Sequence, residues 1–262
     1  MKMPSPTQRR AAEPNWIGRL LWVCLAVYVV YAGSKLGFGW DRFVIGLDQG
    51  GRFLARMFPP NFERWPLLLK GILESLQIAV IATAFGVVMA LPLGLLAARN
   101  LMPPWITWPA RVVIALCRSF HPIIVAILFV KAIGFGALAG IMALIVASLG
   151  FISKLFAEAI EEISLKQVEA VRATGASFAN VLIMAVLPQV LPRFVGFATY
   201  QLDSNLRNST MVGIVGGGGI GATLFTAYQR FDYDFVLAIL IVIVALIMLA
   251  EIVSAWARKV FQ

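Results

Sequence analysis

SLQIAVIATAFGVVMALPLGLLAA, residues 75–98, carries no charged residue from end to end. A helix rises about 1.5 Å per residue and a bilayer's hydrocarbon core is about 30 Å thick, so roughly 20 apolar residues cross it. This run is long enough to span. Lipid offers no partner to backbone N–H and C=O groups, so the span must be helical. It ends at Arg99-Asn100, and Pro103-Pro104 break the chain beyond it.

Similar runs lie on both sides. Leu20–Ser34 is apolar, with Trp16 and Trp22 near its start and Lys2, Arg9, Arg10 and Arg19 before it. Basic residues stay in the cytoplasm, so a cytoplasmic N-terminus is expected. Further spans are expected over Trp108–Val130, between Lys131 and Lys154, over Val181–Gln201 and over Phe235–Ala250. The third carries Arg111, Arg118 and His121, and Pro188 and Pro192 interrupt the fifth. The expected fold class is all-α: a polytopic bundle of about six transmembrane helices. Alternation puts Arg99–Arg111, Lys154–Leu187 and Arg258–Gln262 in the cytoplasm, and the glycine-rich Leu206–Asp234 outside. Gln49–Phe58 is expected to lie outside as an interfacial helix, with Phe53, Leu54 and Met57 down and Arg52 and Arg56 out.

Composition agrees. The chain of 262 residues is 60% hydrophobic and only 13% charged, and its mean hydropathy is +0.87. Soluble domains average about 25% charged residues. Spans and loops use most of this length, so no folded nucleotidase domain of about 100–150 residues is expected. Energy must then come from a partner or an ion gradient. The net charge of +9 suits Lys and Arg at cytoplasmic helix ends facing anionic lipid, not nucleic acid. Cys24 and Cys117 sit in apolar runs without metal-ligand spacing, and one histidine excludes a His-rich metal site. No Ser/His/Asp set or paired intramembrane carboxylates appear, so no catalysis and no metal are expected. A secondary transporter would need coupling carboxylates within the spans, whereas Glu74, Asp203 and Glu251 all lie near span ends. The first apolar run lacks a cleavage pattern and reads as an anchor rather than a signal peptide.

Ser164–Leu187 lies between two spans. Ser164 with Gln167 three residues on is a capping-box pattern, so a helix is expected to start at Leu165. Leu165, Val168 and Val171 share one face, and Lys166, Glu169 and Arg172 take the rest. Gly175 suits the left-handed residue that ends a helix. The result is an amphipathic helix of about ten residues, about 15 Å long. Periodicity leaves two readings open: a dock for a partner, or a helix lying on lipid.

Glu169-Ala170-Val171, Gly175 and Leu187-Pro188 resemble the EAA loop of ABC importer permeases of type I. That motif runs E-A-A, three residues, G, nine residues, I, one residue, L-P. Val171 and Ala185 depart from it, both with small to medium apolar side chains. Leu91-Pro92-Leu93-Gly94, Ala97-Ala98-Arg99-Asn100, Leu155–Glu162, Arg172–Ser177, Ser209-Thr210 and Phe231–Asp234 extend the likeness to the phosphonate permease subfamily. The resemblance implies a permease subunit of an ATP-driven importer of phosphonates or related phosphorus oxyanions, in the bacterial inner membrane. It implies a permease homodimer, an ABC ATPase dimer docked at Glu169, Ala170, Gly175, Leu187 and Pro188, and an extracytoplasmic phosphonate-binding protein. ATP and Mg would sit in the ATPase, with no cofactor in this chain. The implied division is residues 1–71 as tail, first span and interfacial segment, 72–256 as permease domain with its loop at 154–187, and 257–262 as a cytoplasmic tail.

Gly216–Gly221 contains G-x-G-x-x-G but lacks the preceding strand of a dinucleotide fold and the trailing Lys of a P-loop. By family analogy Gly216, Gly217, Gly218, Gly219 and Gly221 lie near the outer mouth of the pore, as a gate or as a tightly packed segment. Arg118 and His121, three apart on one expected helix, would share a face. Arg118 would lie about 12 Å deep. Charges at that depth face protein or water and mark pathways, and Arg matches phosphoryl oxygens. The pair is a candidate anion path, or Arg118 pairs with another helix, or Pro122 frees a carbonyl beside them and bends the helix. Asp203 and Arg207 are spaced as a helix ion pair, and Asp232 and Asp234 lie where a binding protein would touch.

Overall fold

The structure is a computed structural model that describes residues 16–37 and 39–261, with side chains described to Ala255. Lys2, Arg9 and Arg10, which carry the expected N-terminal orientation, lie outside the described residues. So does part of the 257–262 tail. The described chain is helical throughout, without a strand. Among the described residues five helices are long and apolar enough to cross a membrane, and six spans result if one bent pair counts as a single span. The all-α polytopic expectation therefore holds.

Residues Met1–Arg56 and Met57–Gln262 form two units. The first contains α1 (Trp16–Lys35) and most of α2 (Trp40–Met57). No charge falls between Arg19 and Lys35 of α1. α2 begins nine residues earlier than the expected Gln49 start, and Arg52 and Asp48 pair across one of its turns at 2.7 Å.

The second unit is built on α3 (Trp65–Ala97) and α6 (Ala137–Glu161), its most extensively packed pair. Lipid supplies no hydrophobic drive between helices, so close van der Waals contact decides which faces meet. On α3, Gly71, Ser75, Ala79, Ala82, Gly86, Ala90 and Gly94 are buried at intervals of three and four. This stripe of small residues lets the backbones approach. A Cβ on Gly94 would lie 2.9 Å from the Ser153 carbonyl oxygen of α6. α3 runs ten residues upstream of the expected Ser75 start, through Lys70 and Glu74.

The third span bends at Pro122, where a bend is one of the expected readings, and it breaks into two helices. In place of one helix over Trp108–Val130 there are α4 (Pro104–Ser119) and α5 (Pro122–Ile133), bent by 89°. Proline disfavours helical torsions at the residue before it and donates no N–H. Phe120 (φ −107°, ψ 136°) and His121 (φ −66°, ψ 141°) are accordingly extended.

The fifth span also differs. α7 (Leu165–Ala173) and α8 (Phe178–Val181) lead into a wide π turn at Leu182–Val186, and α9 (Leu187–Val212) continues to a second wide turn at Gly213–Gly217. Pro188 and Pro192 each remove an N–H from the regular ladder. The Leu187 N–H reaches back five residues to the Leu182 carbonyl instead. α10 (Gly219–Gln229) is a helix inside the glycine-rich segment, and α11 (Tyr233–Phe261) follows it.

A buried polar cluster joins α3, α6 and α9. Asn205 Nδ2 donates to Thr83 Oγ1 at 2.9 Å and to Ser148 Oγ at 2.8 Å, and Gln201 Nε2 donates to Ser148 Oγ at 3.0 Å. Interhelical hydrogen bonds in membranes contribute about 0.6 kcal/mol on average and up to about 1.7. Asn205→Leu removes two, so a loss of about 1–3 kcal/mol is expected in a reversible unfolding titration. A loss near zero would mean that packing alone holds these helices together.

Candidate functional site

α7 is the short amphipathic helix expected from the sequence, and its limits match: Ser164 precedes it and Gly175 follows it. Its start is held differently from a capping box. The Ser164 side chain makes no cap, and its N–H donates to Gln189 Oε1 at 3.0 Å. Gln189 Nε2 in turn donates to the Ala185 carbonyl at 2.6 Å. Gln189 of α9 thus takes the part expected of Gln167 and fastens α7 to the wide turn.

One residue anchors the helix. Val168 is 2% exposed and joins Phe156, Ile160, Val181, Val186 and Val190 in one apolar cluster. Val171 packs against the edge of this cluster, whereas Leu165 is 48% exposed. Leu165 therefore does not share the buried face expected of it.

At the other end Gly175 has φ +77° and its N–H donates to the Arg172 carbonyl at 3.0 Å. A Cβ there would be strained. Lys166, Glu169, Ala170 and Arg172 are all exposed. Among the described residues no ion pair occupies Glu169, Lys166 or Arg172. Leu187 is half-buried, Pro188 is exposed, and Ala185, at the motif's departing position, is 2% exposed. A larger side chain at 185 would press on the cluster that seats α7.

The end of α6 gathers its neighbours. Glu161 Oε1 accepts from Arg111 Nη2 at 2.6 Å and from the Arg99 N–H at 2.8 Å. Arg111 Nε donates to the Ala97 carbonyl at 2.9 Å. Asn100 Nδ2 donates to the Ile160 carbonyl at 2.7 Å, one of those a helix leaves free at its last turn. Glu162 pairs with Arg193 of α9 at 2.6 Å. α3, α4, α6 and α9 are thus tied together beside α7. Sequence reading missed Gln189 and this clasp. The signal was opposite charges at span ends on one side: Arg99, Arg111 and Arg193 against Glu161 and Glu162.

Arg118 and His121 are not brought onto one helix face. Arg118 is in the last turn of α4, whereas His121 precedes α5 and its Nδ1 accepts from the Ile123 N–H at 3.4 Å. Asp203 and Arg207 pair as their spacing suggests. Asp232 and Asp234 are engaged within the chain: Asp232 with Arg64 at 2.8 Å, Asp234 with Asn61 at 3.2 Å. Asp232 raises the Arg64 guanidinium above its ordinary value, first by its hydrogen bond and then by its charge.

The glycine segment is closely packed. Gly216, Gly218 and Gly219 have positive φ. The Gly216 carbonyl accepts from the Gly136 N–H at 2.9 Å, and the Ile220 N–H donates to Ser75 Oγ at 2.9 Å. A cavity of about 660 Å³ lies beside it, lined in part by Phe135, Val215 and Phe225. Among the described residues no three His, Cys, Asp or Glu side chains converge as a metal site.

Residues 90–262 match the family described as the binding-protein-dependent transport system inner membrane component. The chain belongs to this family. It is therefore a multi-pass transport subunit of the ABC importer type rather than an enzyme. The phosphate-import permease PhnE of Mycolicibacterium smegmatis is 39% identical over 258 residues, which are 97% of this chain and 47% of the relative. The chain thus spans about half the length of that relative. The phosphite transport system permease PtxC of Stutzerimonas stutzeri is 40% identical over 218 residues, covering 83% of this chain and 79% of the relative. Among solved structures, an inward-facing MetNI methionine ABC transporter chain superposes with a TM-score of 0.68 at 27% identity, covering 77% of this chain and 99% of that one. The type I importer permease fold expected from the EAA-like loop is the fold this family member has.

Proposed function

We propose that this chain is the membrane-spanning permease of an ATP-driven importer that moves phosphonates or related phosphorus oxyanions into the cytoplasm. One observation carries the docking part. α7 is pinned by Val168 and Gln189 and turns Glu169 and Ala170 outward, with Gly175 closing it and Leu187-Pro188 opening α9. A helix fixed from below and bare above suits a rigid partner surface. That partner is an ABC ATPase dimer, which supplies ATP and Mg; this chain supplies no cofactor. The permease works as a homodimer and receives ligand from an extracytoplasmic binding protein.

The N-terminus is cytoplasmic, and the permease domain runs over residues 72–256 with its docking loop at 154–187. ATP closes the ATPase dimer, α7 moves, and the spans exchange inward-open and outward-open states. Arg118 and His121 line the anion path at the break between α4 and α5. Broken helices at membrane depth favour such sites. The segment Gly216–Gly221 gates the outer side, moving as one block with the helices against which it packs. The relatives above are a phosphate and a phosphite permease by name, which favours inorganic phosphorus oxyanions as the second ligand reading.

The test is uptake into vesicles holding this permease, its ATPase and its binding protein, with radiolabelled methylphosphonate, phosphite and phosphate in competition. Orthovanadate-sensitive uptake that needs the ATPase is the expected result. Uptake driven by an ion gradient without ATPase would overturn the reading.

A further inference from the structure

A cavity of about 170 Å³ lies between α4 and α6, and its charged lining is Arg111, Arg118, Lys154 and Glu158. Two of the three cations have carboxylates. Arg111 is bound to Glu161 at 2.6 Å, and Lys154 faces Glu158 at 3.4 Å. The second contact is longer than the roughly 2.7–2.9 Å of a direct charged hydrogen bond. Among the described residues no carboxylate or carbonyl engages the Arg118 guanidinium. The cleft therefore carries one uncompensated positive charge.

Arg118 is also held in place. A Cβ on Gly150 of α6 would lie 2.8 Å from Arg118 Cγ and 2.9 Å from Cys117 Cβ. The bare backbone at Gly150 is the notch in which the arginine's stem rests. Such seating reduces the rotamer entropy lost when the guanidinium binds. Lys154 lies two helical turns before Glu161, and Arg118 lies two turns after Arg111. The Arg111–Glu161 bond thus sets both cations at one level, roughly 10 Å along the helices from it. Ile114, Ala115 and Ala157 form the apolar walls. Arg118 itself is exposed at the mouth of the cleft, and at membrane depth such a charge is costly unless a polar partner meets it.

We infer that the cleft between α4 and α6 binds one phosphoryl-type oxyanion. The Arg118 fork takes two oxygens and Lys154 acts as a second point charge. Glu158 excludes a second anion. The site rests on the importer reading, which puts the cleft in the cytoplasmic half of the bilayer. Within the path lined by Arg118 and His121, it names Arg118 with Lys154 as the pair that holds the ligand. The same phosphoryl chemistry is carried by a soluble phosphorus oxyanion and by an anionic lipid headgroup.

The experiment uses the full-length permease in nanodiscs of phosphatidylcholine, with or without phosphatidylglycerol. Inorganic phosphate binding is followed by calorimetry in the first, and lipid retention by native mass spectrometry in the second. Saturable binding in one arm is expected, and the responding arm names the source. Arg118→Gln and Lys154→Gln should each weaken it by about tenfold or more, and Arg118→Lys by less, because point charge remains while the fork is lost. Lys154 is half-exposed on α6, so Lys154→Gln tests the site even if Arg118→Gln fails to fold. No binding in either arm, or binding indifferent to both variants, overturns the site. Uptake is not the readout. Failed phosphonate uptake with intact binding sinks the substrate reading alone, and intact uptake without binding sinks the site alone.

Discussion

Glu169→Lys is expected to lower ATP-driven uptake by about a hundredfold or more while the protein reaches the membrane in normal amount. The two halves of that result have separate causes. Within the chain Glu169 is exposed and makes no ion pair among the described residues. Substitutions at such positions usually change stability by about 0.5 kcal/mol or less. Lys is also as good a helix former as Glu. At an interface the same change reverses a charge where a partner cation is expected. Like charges placed together across an interface cost several kcal/mol, and each 1.4 kcal/mol is about tenfold. Gly175→Pro should act as strongly by another route. Proline fixes φ near −65° and has no N–H, whereas Gly175 sits at φ +77° and donates to Arg172. Uptake and ATPase rates of reconstituted complexes, with monodispersity of the purified permease, decide the matter. Normal uptake by well-expressed Glu169→Lys would remove the docking role from that residue.

Gly221→Ala should be strongly damaging for a single added methyl. A Cβ at 221 would overlap the Thr210 carbonyl oxygen of α9, a backbone atom that no rotamer change can move. It would also lie 3.0 Å from Gly213 Cα. Overpacking a tight core costs about 1–3 kcal/mol and more where backbone must shift. Loss of more than about 3 kcal/mol, or loss of folded protein, is expected. Gly196→Ala in α9 is the control. Nothing lies within 4 Å of its added Cβ, and Ala is the better helix former by about 0.5–1 kcal/mol. Denaturant unfolding should therefore separate the two variants in opposite directions. Equal effects would show that the glycine segment is looser than its contacts imply.

Much of the fold was legible because membrane helices are written in long uncharged runs. Residues 75–98 placed α3, and the limits of α7 could be read from Ser164 and Gly175. Two features were not legible and a third only in part, each for a physical reason. The bend after Ser119 is signalled by Pro122, but its size was masked by hydropathy, which continues through Phe120 and Ile123 although the torsions at His121 do not. α10 was hidden because a glycine-rich stretch has poor helix propensity. Its N-terminus gains support from Ser75, far away in sequence. Gln189 and the Asp232–Arg64 pair act across 25 and 168 residues, and a single sequence carries no periodicity for contacts of that kind. The site followed the same division. The exposed face of α7 was readable, whereas what pins it, and Arg118 seated at Gly150 with Lys154 nearby, required the packed structure.

The wide turn at Leu182–Val186 has a consequence for the middle of the bundle. Each residue of an α-helix advances the azimuth by about 100°. A π turn absorbs one residue more than an α turn without passing that rotation on. Val181, which helps seat α7, and Gln201 and Asn205, which grip Ser148 and Thr83, therefore keep their phase although an extra residue separates them. Wound as ordinary α-helix, the same residues would swing both amides by about 100° away from α3 and α6. The seat of α7 and the polar cluster are indexed to each other by that one turn.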